Sequence, residues 1–341
     1  MSDYKANLEQ SIERQEAYWS GTLQAGPLVT IWLPDATPQG DAWQLEAEER
    51  RLLDKRTLLD DAIPTVEIQT ESHTFSALVG SAIQEVSGTF WVEPLLKDLR
   101  HIGEVALRKE APFYQMITER IALAAAKADG RYAIRGITTP GISDVIDGVF
   151  GTENTLMAMM EEPEGVKDLA ARCGKILKEF LRIQFGMIPL FHGGANAGLA
   201  WMPGRGMTLS ADLMVMCSAS QFDEFIAPVE RELISDLDGA IYHVHSTGLR
   251  IVDSLLEMEK VAAIEISHDP NGPEISDMGE TLKKIAERKK LILTGWSREF
   301  KQTDLEWLQK NTDKNRLSLY FQGGTVGRGN EIVSQVREFF R

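Results

Sequence analysis

The second half of the chain repeats one theme, and that theme constrains the fold more than any other feature. Short apolar runs stand at Met187–Phe191, Asp212–Met216, Ala240–His245, Ala262–Ile266, Leu291–Thr294 and Leu317–Phe321. Most are followed by an amphipathic segment: Gln221–Leu237, Gly248–Glu257, Ile275–Lys289, Thr303–Asn311 and Gly329–Phe340. The short runs read as strands, and the segments with helical periodicity read as the crossovers between them. Such alternation implies right-handed βαβ units and a parallel sheet. In the first half, strands are expected at Leu28–Leu33, near Val66–Gln69, around Phe90–Val92 and at Tyr132–Arg135. Helices are expected over residues 3–19, 42–61, about 75–83, 112–128 and from Pro163 to about Phe185. No composition shift and no Pro/Gly/Ser linker divides the 341 residues. The economical solution is one domain over residues 1–341, a (β/α)8 TIM barrel with an N-terminal helical extension. An open doubly wound sheet is the runner-up, weakened because no Gly-x-Gly-x-x-Gly turn follows the first strand.

Charge then narrows the partners. The chain carries 36 Lys+Arg against 51 Asp+Glu, a formal charge of −15. Phosphate-backbone binding needs clustered cations, and the longest basic run is Arg288-Lys289-Lys290, so nucleic acid is not an expected partner. The charged stretch from Glu46 to Lys55 reads as a solvated helix face. Two cysteines far apart, Cys173 and Cys217, exclude a disulfide framework and a Cys-type zinc finger. No apolar run reaches the roughly 18 residues of a membrane span, and the polar start lacks a secretory core. The expectation is a cytoplasmic protein, with a homodimer as the default assembly.

In a (β/α)8 barrel the active site lies at the C-terminal ends of the strands. The sharpest feature there is Ile241-Tyr242-His243-Val244-His245-Ser246-Thr247-Gly248. Successive strand residues point to opposite faces, so His243 and His245 share one. Two imidazoles on an inward face supply half of a metal site, or a base and a second polar contact. The next strand offers Glu265 and His268 as further ligands, and Asp212 offers a carboxylate to orient a histidine or take a proton. The glycine-rich stretch from Phe191 to Gly206 can cover a pocket, with His192, Trp201 and Arg205 as contacts. Gln322-Gly323-Gly324-Thr325 follows the last strand and can face an anion. Cys217 reads as buried and inert, and packing is the first expectation for Trp32, Trp91 and Trp296.

Several segments together resemble the uroporphyrinogen decarboxylase superfamily, which also holds cobamide-dependent methyltransferases. They are Glu16-Ala17-Tyr18-Trp19-Ser20-Gly21, Gly136 through Pro140, Leu156 through Glu164, Cys217 through Pro228, and the Tyr242–Gly248 strand end. The Cys217–Pro228 segment is similar to the family's Leu-Ser-Pro-x-x-Phe-x-Glu-Phe-x-x-Pro pattern. The resemblance implies a (β/α)8 barrel with its site at the strand C-termini. Two departures matter. The decarboxylases carry an arginine-rich segment after the first strand, whereas Trp32 through Asp41 holds no arginine. The zinc-dependent methyltransferases carry His-x-Cys and a later Cys. Here the first pair is His243-Val244-His245, and the later region reads Gln322-Gly323-Gly324-Thr325. A zinc ion on His243 and His245 therefore needs a third ligand from Glu265, His268 or Asp212.

The resemblance implies methyl transfer between a small methylated substrate and a corrinoid. That corrinoid arrives on a partner protein, because no Asp-x-His-x-x-Gly cobalamin motif occurs. In this reading Asp212 orients a histidine, and His192, Trp201, Arg205 and Gln322 contact substrate. A metal-free decarboxylase or lyase acting on a small carboxylated substrate is the alternative, with a non-catalytic binding protein on the same barrel behind it.

Overall fold

The computed structural model describes residues 4–341 apart from 25, 35–42, 69–73, 87–88, 138–139 and 296, and apart from the side chains of 83–91. Its strands are β1 (Leu28–Trp32), β2 (Thr65–Glu67), β3 (Ala82–Val86), β4 (Thr89–Glu93), β5 (Ala133–Arg135), β6 (Gly194–Asn196), β7 (Trp201–Pro203), β8 (Gly206–Ser210), β9 (Gly239–His245), β10 (Val261–Ser267), β11 (Lys290–Thr294) and β12 (Leu317–Gln322). Six of them form a parallel sheet in the order β1-β12-β11-β10-β9-β8, and β2 pairs with β5, also in parallel. Hairpins β3–β4 and β6–β7 are antiparallel. The result is a TIM-barrel-like α/β architecture. Among the described residues no ladder joins β1 to β2 or β5 to β8. Helices alternate with the strands, as the periodicity requires, and among the described residues none is long and apolar enough to cross a membrane.

Strand side chains divide by parity, as the pleat demands. Ile241, Ala263, Ile292 and Tyr320 pack with Ala197 and Met202 on one side of the sheet. Their neighbours Tyr242, Ile264, Leu291 and Leu319 pack on the other, in the large core shared with the helices. Where β1 lacks a strand partner on the β2 side, two side chains stand in for one. Asp61 Oδ2 accepts the Val29 N–H at 2.8 Å, and Asp60 Oδ2 accepts the Ile31 N–H at 2.9 Å. Lys5 neutralises Asp60, and Arg14 and Arg337 neutralise Asp61. Buried N–H groups are thus satisfied without a ladder.

Two expected strands are corrected. Met187 closes the helix Pro163–Met187, and Phe191 makes only an isolated bridge to Gly194, so Met187–Phe191 is not a strand. The apolar run Asp212–Met216 is a 3-10 turn in which Leu213 and Met214 are both buried and Asp212 is exposed, a pattern without period two. The strand lies just before it, at Gly206–Ser210. Small residues hide that strand from a hydrophobicity reading, but they are needed. A side chain at Gly206 would sit 2.0 Å from Met202 Sδ. The helix expected at about 75–83 ends at Val79 before strand β3, and the one expected over 42–61 spans Leu45–Asp54.

Candidate functional site

Strand β9 ends in His243 and His245, which lie on the same face as Ile241. Register carries other groups to them. Ser210 of β8 and Glu265 of β10 are the neighbours of His243, and Ser267 is the neighbour of His245. Two residues beyond Ser210, the 3-10 turn presents Asp212. Its Oδ1 lies 3.8 Å from His243 Nε2 and 3.5 Å from His245 Nε2. The two imidazoles meet edge to face, with centroids 4.9 Å apart. One donor atom from each of Asp212, His243 and His245 lies within 4.8 Å of the other two.

The far side of each ring is held by a carboxylate. His243 Nδ1 donates to Glu265 Oε2, while Glu265 Oε1 accepts from the Thr294 hydroxyl. His245 Nδ1 donates to Asp269 Oδ1 at 2.9 Å, and Asp269 Oδ2 accepts the Ser246 N–H and O–H at 2.9 and 2.7 Å. With Nδ1 committed as donor, Nε2 of each neutral ring is a bare lone pair aimed at Asp212. Lone pairs facing a carboxylate repel unless a positive charge lies between them.

The titration behaviour follows from that arrangement. Burial works against charging His243, but the charge of Glu265, its hydrogen bond and Asp212 prevail and raise the pKa above the usual imidazole value. The contact with Asp212, opposed by burial and helped by Asp269, lifts His245 to about 9. A partial burial penalty on the Asp212 carboxylate is outweighed by the two histidines, which hold it below the usual carboxylate value. The electrostatics of the site favour positive charge between the two rings and Asp212.

The other candidate residues divide between near and distant. Glu265 is at the site, behind His243 and fully buried, as a support for the ring. His268 is not brought to the pair. Its Nδ1 donates to the Arg298 carbonyl at 3.0 Å, its ring stacks on Phe300, and it groups instead with Glu274 and Asp304. His192, Trp201 and Arg205 are not brought to the pair. They precede β8, at the end of that strand opposite Asp212. Trp201 is buried and donates Nε1–H to the Phe191 carbonyl. Arg205 reaches the Ile188 carbonyl and lies over Phe185, while the exposed His192 sits edge-on to Phe191. The glycine-rich stretch is tied down by Tyr320 Oη, which donates to the Leu199 carbonyl, and by Arg135, which donates to the Gly198 carbonyl, and its Asn196, Gly198 and Leu199 line a cavity.

Gln322 is exposed at the C-terminal end of β12 and lines a cavity with Phe300 and Arg328. Cys217 is buried, and burial pushes its thiol pKa up. Trp32 is 44% exposed at the end of β1; Trp296 and the Trp91 side chain lie outside the described residues. A cavity of about 480 Å3 runs along β1, β2, β5 and β12, lined among others by Thr30, Trp32, Glu67, Arg135, Asn196 and Tyr320. Asp269 is the functional neighbour that the sequence reading left out. Its only signal was its place two residues after the β10 strand end.

Comparison with known proteins bears on the fold. No protein-family profile matches the chain, and no curated protein matches it in sequence. In structure it is similar to a methyltransferase from Methanosarcina mazei, with a TM-score of 0.64 at 12% identity, over 96% of this chain and 98% of that one. At that identity the likeness is one of fold.

Proposed function

We propose that the chain is a metal-dependent methyltransferase on a closed barrel of the uroporphyrinogen decarboxylase type, moving a methyl group between a small methylated substrate and a corrinoid held by a separate protein. One observation carries this reading: His243 Nε2, His245 Nε2 and Asp212 Oδ1 converge, with both rings backed by carboxylates. Zinc fits this set. Tetrahedral zinc with ligands at 2.0–2.1 Å separates them by about 3.3–3.4 Å, close to the 3.5 and 3.8 Å found. Carboxylates on Nδ1 fix the tautomer that ligation needs and raise ligand basicity. Three protein ligands leave a position for substrate, as catalytic zinc sites do.

In this reading Asp212, rather than Glu265 or His268, is the one of the three expected candidates that completes the set. Bound zinc supplies Lewis-acid polarisation of the substrate heteroatom. The chain's own Glu265 and Asp269 hold the two rings in place. The fold likeness to a methyltransferase supports the assignment without carrying it.

A second reading has its own observation. With His245 raised to about 9, the metal-free pair is an imidazolium acid near neutral pH, as a lyase acting on a small carboxylated substrate requires. Metal analysis separates the two. The methyltransferase reading expects one zinc per chain, lost in His243→Ala with the fold retained by circular dichroism. Protein that binds no zinc after reconstitution and dialysis leaves the acid–base reading alone.

A further inference from the structure

The third member of the donor set sits on a turn that does not hold itself. The 3-10 segment Asp212–Met216 begins at Ala211, which supplies no capping side chain. The acceptor comes from elsewhere. The helix Ile142–Phe150 carries Asp144 in its first turn, and this one carboxylate grips the chain on both sides of Asp212. Its Oδ2 accepts from the Ser210 hydroxyl at 2.5 Å, and its Oδ1 accepts the Leu213 N–H at 3.1 Å. Ser143 Oγ also donates to Oδ1 at 3.0 Å.

The helix is fixed in turn. Glu230 Oε1 accepts the Ile142 N–H at 2.9 Å, and Glu230 Oε2 accepts from Tyr242 Oη at 2.8 Å, next to His243 on β9. The turn bearing Asp212 and the strand bearing the histidines are therefore referred to one buried frame.

We propose that Asp144 is a positioning residue that aims the Asp212 carboxylate at the two imidazoles. This inference rests on the metal reading above. Asp144 touches no donor atom of the set, so its effect passes through the backbone of the turn. Groups that orient metal ligands in this way typically cost about 10- to 100-fold in metal affinity when removed. Without the carboxylate, the Leu213 N–H loses its acceptor and Ser210 loses its anchor, so the turn can swing Asp212 toward solvent, where it is already 60% exposed.

The experiment is a competitive zinc titration of the full chain, with cobalt(II) absorption as a second readout of coordination number. The samples are wild type, His243→Ala, Asp144→Ala, Asp144→Asn and Ser210→Ala. Asp144→Ala is expected to bind zinc about 10- to 100-fold more weakly and to lose the intense visible bands of four-coordinate cobalt. Asp144→Asn retains an oxygen for the Leu213 N–H and is expected to recover most of that loss, a rescue that general destabilisation would not produce. Should Asp144→Ala fail to fold, Ser210→Ala removes one anchor, together with the long 3.5 Å contact from the Gly141 N–H, and is expected to weaken zinc several-fold. Wild-type affinity and spectra in Asp144→Ala, or in Ser210→Ala if that variant carries the test, overturn the inference while a loss confined to His243→Ala leaves the metal reading standing. A wild-type chain that binds neither metal overturns both.

Discussion

Glu230 is the most consequential buried acid outside the donor set, and its replacement by glutamine has a calculable outcome. The residue is fully buried between the Ile142 N–H and the Tyr242 hydroxyl. Burial foremost pushes its pKa from 4.5 to about 8. Below pH 4.5 both the folded and the unfolded chain hold the proton, and Glu230 contributes no pH dependence. Between 4.5 and about 8 the unfolded chain releases it while the folded chain keeps it, so stability falls as pH rises, by about 1.4 kcal/mol per pH unit. Above about 8 the loss levels off, at roughly 4–5 kcal/mol in total. Glutamine does not titrate. Its amide oxygen can accept the Ile142 N–H, but its NH2 must donate to Tyr242, which leaves the tyrosine proton unmatched at about 1 kcal/mol.

Glu230→Gln is therefore expected to be slightly less stable than wild type at pH 5 and about 3–4 kcal/mol more stable at pH 8.5. Urea unfolding of both proteins at pH 5, 6.5 and 8.5 reads the difference, and titrations common to both chains cancel in it. A difference that stays constant across that range would show that Glu230 is ionised in the fold, and would refute the reasoning.

Two further perturbations test the frame of the fold. Gly141→Ala places a methyl group 2.0 Å from the Ser210 carbonyl oxygen and 2.7 Å from Glu230 Oε1; because the first obstacle is backbone, a loss of about 1–3 kcal/mol is expected in urea unfolding, and wild-type stability would mean that the helix and β8 are further apart than described. Asp61→Asn keeps an acceptor for the Val29 N–H but leaves Arg14 and Arg337 without their anion. A destabilisation of about 3–5 kcal/mol is expected for breaking such a buried pairing, measured in the same way, and an unchanged midpoint would mean that water serves the two guanidinium groups equally well.

The alternation of apolar runs and amphipathic helices was enough to foresee a parallel α/β architecture, because each strand and helix buries its face by a local rule of period. It was enough also to place His243 and His245 side by side, since strand parity depends only on neighbouring residues. It was not enough for Asp212. The hydrophobicity of Leu213-Met214-Val215-Met216 reads as a strand, yet those residues form a 3-10 turn, while the strand is the glycine-containing Gly206–Ser210 that packs against Met202. That reading put Asp212 at the head of its strand, whereas it lies just past the C-terminal end of β8.

Trp201 and Arg205 lie away from the histidine pair, which the sequence could not show. A glycine-rich stretch carries no period, so its side chains could not be assigned to either end of β8 from the sequence.

What the amino-acid order determined alone is whatever follows from spacing along one element: the strand–helix alternation and the shared face of the two histidines. Which carboxylate meets which imidazole depends on register between strands far apart in the chain, with Ser210, His243 and Glu265 abreast. It depends equally on Asp144 reaching across from another helix to hold the turn behind Asp212. Those relations are set by the packing of the whole molecule, and no local periodicity encodes them.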